Sequence, residues 1–293
     1  MTLLTVLIGT LGFAILAPLV GCLLAGLDRI ITARMQGRVG PPLLQPYYDV
    51  RKLIEKEDSA TNSSERVYVT CALVCAFVAG GIFYSGNDLL MCVFVITLSS
   101  LFFIMAAYCT RSPYAEVGAG REILQVMSYE PMVLIMAVTY YLAVGSFDLS
   151  DLFGLEAPII GSTWLTFIGL LFILTIKLRK SPFDLSYSHH AHQELVKGVT
   201  TEMSGKTLAT VEVLHWCENV LFLGWVGMFF VWSSGGSILL GVLVALLAWF
   251  LEIWIDNNFA RVKWQAMLKW AWIVALVCGL LNVTALMYLP YFL

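Results

Sequence analysis

The sequence predicts an all-α, polytopic membrane protein with about eight transmembrane helices, and three observations carry that prediction. Hydrophobic residues make up 59% of the 293 residues against 13% charged, and the mean hydropathy is +0.83. That composition leaves too little polar surface to clothe a soluble globule of this length. All 17 Lys and Arg residues fall in four polar stretches, 28–66, 110–122, 177–206 and 256–269, and every segment between them is an apolar run. The three alternate loops contain no Lys or Arg and hold Asp88, Asp148, Asp151 and Glu156 instead. Cationic loops stay on the cytoplasmic side, so the charge pattern sorts the loops by face. The net charge of −3 says little about partners.

The elements follow in order. Residues 3–27 form the first span, because Met1 to Leu27 runs apolar straight into Asp28 and Arg29, with no basic start and no small-residue cleavage site. The runs 67–85, 89–109, 123–144, 161–178, 207–232, 238–255 and 270–290 each come near the roughly 20 residues that cross about 30 Å of hydrocarbon. An even number of spans puts both termini on one side, and the basic-loop rule puts them outside, with 28–66, 110–122, 177–206 and 256–269 inside. Glu252, at the end of the seventh span, and Trp249, Trp254, Trp264, Trp270 and Trp272 read as interface anchors. Neither an internal repeat nor a low-complexity tract interrupts the chain, so residues 1–293 read as one membrane domain. The seven cysteines lie within or at the ends of apolar spans without a CxxC pair, and read as small core residues.

The first inside loop contains two further elements. Gly40-Pro41-Pro42 breaks any helix, and Pro46 opens a new one where its missing N–H costs nothing. From Tyr47 onward Val50, Leu53 and Ile54 recur at helical spacing against Asp49, Arg51, Lys52, Glu55 and Lys56. This pattern predicts an amphipathic helix on the membrane surface.

Several acids occupy costly positions. Glu130 sits about two turns into the fourth span, where a carboxylate must be protonated, paired or hydrated. Pro131 beside it removes one helical hydrogen bond and opens the backbone to a kink. In the sixth span Glu212, His215 and Glu218 occupy a sector of roughly 120° at about 100° per residue, one wall of a polar channel. Spaced carboxylates linked by water suit a proton relay, and a structural network of hydrogen-bonded acids is the rival reading. Glu202 and Glu194 would continue the chain toward the inside loop. The His189-His190-x-His192 cluster lacks the helical spacing or the distant second pair that metal ligands need. It reads as a proton-sensitive contact loop or as plain surface histidines.

Three blocks also carry a family resemblance. The run R-x-Q-x-R-x-G-P from Arg34, followed by L-L-Q-P and by D-x-x-K-L-x-x-K-E from Asp49, resembles the first cytoplasmic loop of the complex I subunit 1 family, also called the H subunit. Arg121-Glu122-Ile123-Leu124-Gln125, leading to Ser128-Tyr129-Glu130-Pro131, resembles that family's segment entering the fourth helix. Arg179-Lys180-Ser181-Pro182-Phe183-Asp184-Leu185, with Glu194-Leu195-Val196 and Thr201-Glu202 downstream, resembles its third inside loop. Where quinone-reducing members carry a short acidic run, this chain has Ser186-Tyr187-Ser188-His189-His190-Ala191-His192-Gln193. That departure, with the compact first loop, resembles the membrane subunit of group 4 energy-converting nickel–iron hydrogenases.

The resemblance implies an ion-pathway and anchoring subunit with no redox centre of its own, the nickel–iron centre and iron–sulfur clusters residing in partner subunits. Those partners would be hydrogenase large and small subunits, an iron–sulfur subunit and an antiporter-like membrane subunit, within the lipid bilayer of the cytoplasmic (inner) membrane. Nucleic acid is not among the expected partners. The resemblance further implies that Arg34, Arg38, Asp49, Arg51 and Lys52 lie in a docking loop, with Arg34 and Arg38 clamping partner carboxylates, although the positive-inside rule alone would also place Arg34, Arg38, Arg51 and Lys52. Asp184, His189, His190 and His192 would form the coupling loop, and Glu130, Glu202 and Glu212 match the family's lateral glutamate channel. Glu218 and His215 rest on spacing alone. A quinone-site subunit of a complex I-type NADH dehydrogenase and a subunit of a formate hydrogenlyase complex are the alternatives.

The charge pattern makes a direct prediction. Single cysteines placed at residues 52 and 263 in a cysteine-free background should react with a membrane-impermeant maleimide only after the cytoplasmic face is opened. Cysteines at 88 and 156 should react in intact cells.

Overall fold

The computed structural model describes residues 3–57, 63–180, 183 and 197–288, and the candidates Asp184, His189, His190, His192 and Glu194 lie outside the described residues. The described chain is helical almost throughout. Its elements are α1 (Leu3–Met35), α2 (Gln45–Glu55), α3 (Ser63–Tyr84), α4 (Leu89–Tyr108), α5 (Pro113–Val144), α6 (Ile160–Lys177), α7 (Gly205–Met228), α8 (Ser237–Asn258), α9 (Trp264–Val274) and α10 (Leu281–Tyr288). A π-helical stretch, Ala275–Leu280, joins α9 to α10, so Trp264–Tyr288 is one continuous rod. Two short 3-10 turns, Leu149–Gly154 and Gly198–Thr200, complete the described elements.

Among the described residues seven helices are long and apolar enough to cross a membrane: α1, α3, α4, α5, α6, α8 and the rod Trp264–Tyr288. The chain is a polytopic membrane protein. Helix α7 is as long, 24 residues, but Lys206, Glu212, His215 and Glu218 dilute its apolar run. It packs against α1, α2, α3, α6 and α8, and its buried side chains include Leu214, Trp216, Cys217, Glu218, Leu221 and Trp225. A helix enclosed by others can carry polar residues that a lipid-facing helix cannot.

Two helices run past their apolar stretches. Helix α1 continues beyond residue 27 to Met35, and α5 starts at Pro113, well before residue 123. Pro113 occupies the first turn, where a missing N–H is harmless, and Gly145, at φ 90°, closes the C-terminus in the left-handed conformation that favours glycine. The extra turns of α5 bring Glu122 into the helix body.

The amphipathic helix forms as the pattern predicts, with a proline in its first turn. Its apolar side meets protein: Val50 is buried in a cluster with Cys22 of α1 and Ala209 and Trp216 of α7. Asp49 on its polar side accepts from Arg29 at 2.6 Å and from Gln45 at 2.9 Å, and Arg51 pairs with Glu55 one turn on at 3.1 Å. Arg34, Arg38 and Lys52 are exposed, Arg38 donating to Gln36. At the opposite end of the bundle the α3–α4 and α5–α6 connections clasp each other. Leu89 donates to the Phe147 carbonyl at 2.9 Å, Leu149 to Asn87 at 3.2 Å and Ser150 to Gly86 at 2.9 Å.

Close helix approach depends on small residues, as membrane packing requires. A Cβ at Gly21 would stand 2.6 Å from the Trp216 carbonyl oxygen, and one at Gly26 would run into the carbonyl oxygen of Leu43, where the first loop folds back on α1. Gly26→Ala should therefore push that loop off α1. Overpacking of about 1–3 kcal/mol should lower the thermal midpoint of the detergent-solubilised protein by several degrees, at about 2–4 °C per kcal/mol. Gly12→Ala, with nothing within 4 Å of the added atom, should leave the midpoint unchanged.

Candidate functional site: a buried charge cluster

Buried charge collects between α4, α5, α6 and α7, toward the end of the bundle where α2 lies. It begins with α5, whose stripe Glu122, Gln125, Ser128 and Tyr129 is buried at helical spacing. Glu122, 4% exposed, receives a two-pronged contact from the Arg179 guanidinium at 2.9 and 3.4 Å. Such a fork suits a planar guanidinium. The same guanidinium lies 5.3 Å from the Phe103 ring of α4, and the His215 imidazole packs edge-on against that ring at 5.7 Å.

The second cation is Lys177, the last residue of α6. Its ammonium stands 3.5 Å from the centre of the Tyr129 ring and 4.7 Å from that of Phe222, a cation–π cradle that stabilises charge away from water. Glu130, Glu218 and Glu122 all lie within electrostatic reach of it. Glu218 is 8% exposed and also feels Arg179. Glu130 accepts from the Thr97 hydroxyl of α4 at 2.5 Å, while its second carboxyl oxygen is buried without a hydrogen-bond partner among the described residues. The Tyr129 hydroxyl approaches Ser100 at 3.5 Å.

Three carboxylates therefore share two cations in a region enclosed by helices. Dense opposite charge is the condition under which buried acids persist. An excess of acid over base also leaves room for one proton to be held or released. The cluster sets Glu130 and Glu218 within electrostatic reach of Lys177 and holds Glu122 against Arg179.

Of the acids singled out by sequence, Glu130 and Glu218 come together around Lys177, and His215 joins through Phe103. Glu212 is half-buried nearer the start of α7, and Glu202 is half-buried in the segment before it. Sequence reasoning misses Glu122 and Lys177 as site residues. The polar stretch 110–122 places Glu122 in a loop, although the spacing Glu122, Gln125, Tyr129 marks one helical face. The positive-inside rule absorbs Lys177, although that residue falls within the run 161–178. Arg179 is committed to Glu122. Among the described residues no three His, Cys, Asp or Glu side chains converge as metal ligands do.

A bundle of long apolar helices wrapped around a row of buried, cation-matched acids defines a class: polytopic membrane proteins with a charged interior. A family model described as NADH dehydrogenase matches residues 8–287, and the chain belongs to that family. Among curated relatives, hydrogenase-4 component C of Escherichia coli K12 is 32% identical over 204 residues, covering 64% of this chain and 63% of that protein. The H subunit of the NADH-quinone oxidoreductase of Anoxybacillus flavithermus is 28% identical over 323 residues, covering 99% of this chain and 93% of that protein. Among solved structures, a chain of the membrane-bound sulfane sulfur reductase, an archaeal respiratory membrane complex, superposes with a TM-score of 0.83 at 20% identity. The superposition covers 94% of this chain and 99% of that one, a likeness of fold.

The Glu122–Arg179 pair yields a quantitative expectation. Glu122→Gln takes the bidentate carboxylate from a buried guanidinium and should cost about 3–5 kcal/mol, read as a lower thermal midpoint. Adding Arg179→Gln should recover most of that loss in a double-mutant cycle.

Proposed function

We propose that the chain is the anchoring and proton-pathway subunit of a multi-subunit energy-converting nickel–iron hydrogenase, in which ferredoxin oxidation and hydrogen evolution drive ion translocation. The observation that carries this reading is the buried cluster of Glu122, Glu130, Glu218, Lys177 and Arg179. Such an arrangement is costly to bury and suited to holding a mobile proton. The match to hydrogenase-4 component C and the three-block resemblance favour the hydrogenase branch.

In this reading eight spans cross the cytoplasmic membrane, α7 among them, with both termini outside and the α2 end inside. Arg34, Arg38, Asp49, Arg51 and Lys52 dock the soluble arm, made of hydrogenase large and small subunits and an iron–sulfur subunit. The nickel–iron centre and the clusters belong to that arm, and this chain binds no cofactor. Electron transfer there alters charge near Asp184, Glu194 and the loop histidines His189, His190 and His192. Arg179, tethered to Glu122 five residues before Asp184 in sequence, transmits the change into the cluster. Protons then redistribute among Glu202, Glu212, Glu218, His215 and Glu130 and pass toward an antiporter-like subunit.

A second reading is a quinone-site subunit of a complex I-type NADH dehydrogenase, favoured by the near-complete alignment with the Anoxybacillus flavithermus relative. Gentle detergent purification through a tag on this chain separates the two. Nickel–iron subunits that co-purify and evolve hydrogen from reduced ferredoxin are the expected result. NADH- or quinone-linked partners without nickel would overturn the hydrogenase reading.

A further inference from the structure

Buried charge collects at a second place, which no part of the reading above uses. The last turns of helix α8 carry Glu252, Ile253, Trp254, Ile255, Asp256, Asn257 and Asn258. The Glu252 side chain is 0% exposed, and both of its carboxyl oxygens are buried without a hydrogen-bond partner among the described residues. An ionised carboxylate left bare in that way is among the most costly groups a protein can bury, whereas the neutral acid is not.

One turn further on, Asp256 lies 3.8 Å from the Lys180 ammonium. Lys180 makes its closer ion pair with Asp28 of α1, and it lies within electrostatic reach of Glu252. The charged groups facing Glu252 are thus Asp256 from its own helix, Lys180 from the end of α6 and, across Lys180, Asp28 from α1. Polar bonds lock this corner together: Asn257 donates to Thr32 at 3.3 Å, and Gln36 donates to Asn257 at 3.0 Å.

The link to the first cluster is a single peptide unit. Arg179 sits at φ 54°, a left-handed conformation that a side-chain-bearing residue adopts at a cost of about 1–3 kcal/mol. That turn sends Arg179 to Glu122 and the next residue, Lys180, to Asp28 and Asp256.

We propose that Glu252 is a second proton-binding site, taking its proton from water at the α2 end of the bundle and coupled through the Arg179–Lys180 turn to the Glu122 cluster. While Lys180 is engaged by Asp28 and Asp256, Glu252 holds the proton as a neutral acid. When Lys180 moves toward Glu252, the carboxyl gives the proton back to water and pairs with the ammonium. The site stands on this chain's own residues and does not rest on the hydrogenase reading.

The test is pH-difference infrared spectroscopy on the intact complex isolated through this chain. Glu252→Gln should remove one protonated-carboxyl carbonyl band from the parental spectrum. Glu252→Asp, which keeps the acid on a shorter stem, should move that band in frequency, and it decides the matter if the glutamine variant does not assemble. A parental band unchanged in whichever variant assembles overturns the site. Lys180→Met, which removes the cation, should hold the band to higher pH. A midpoint left in place by that substitution overturns the coupling.

Discussion

Charge inside hydrocarbon must be matched by charge, and the interior of this bundle is organised around that constraint. Helix association in a bilayer draws on packing and polar contacts, because lipid offers no hydrophobic penalty to escape. Here the packing is supplied by close approaches such as Gly21 against Trp216. The polar contacts are concentrated where α6 ends. Lys177, Arg179 and Lys180 fall within four residues and reach three different sets of acids: Glu130 and Glu218, Glu122, and the Asp28–Asp256 pair. Four helices besides α6 contribute those acids, so the end of α6 ties α1, α5, α7 and α8 into one unit.

This arrangement explains why α7 can be less apolar than its neighbours. A helix bearing Glu212, His215 and Glu218 is a poor lipid-facing element. Enclosed by α1, α3, α6 and α8 and supplied with Lys177 and Arg179 from outside, it becomes the polar spine of the bundle. It also explains the length of α5. By starting at Pro113 the helix carries Glu122 within its body, where the guanidinium fork grips it, one face of the helix then presenting Glu122, Gln125 and Tyr129 in succession.

Much of the architecture is legible in the sequence because lipid enforces simple rules. Apolar runs, the segregation of Lys and Arg, and Pro46 opening an amphipathic helix are each readable from residue type alone. Glu130 and Glu218 are readable as costly acids. What escapes is pairing across distance in sequence: Glu122 finds Arg179 57 residues away, and no local pattern announces it. Glu252 looks like an interface anchor in the sequence because its position near a helix end says nothing about the side chains that cover it, yet it is fully buried. Lys177 and Lys180 are hidden by a rule that explains every basic residue near a membrane edge equally well.

If the acids gathered around Lys177 carry the translocated proton, removing that cation must uncouple translocation from electron flow. The most direct test is the ratio of ions moved per electron transferred, measured in vesicles reconstituted with the complex carrying Lys177→Met. A ratio that falls toward zero while electron transfer continues is the predicted result. A ratio equal to that of the parent complex would contradict the claim.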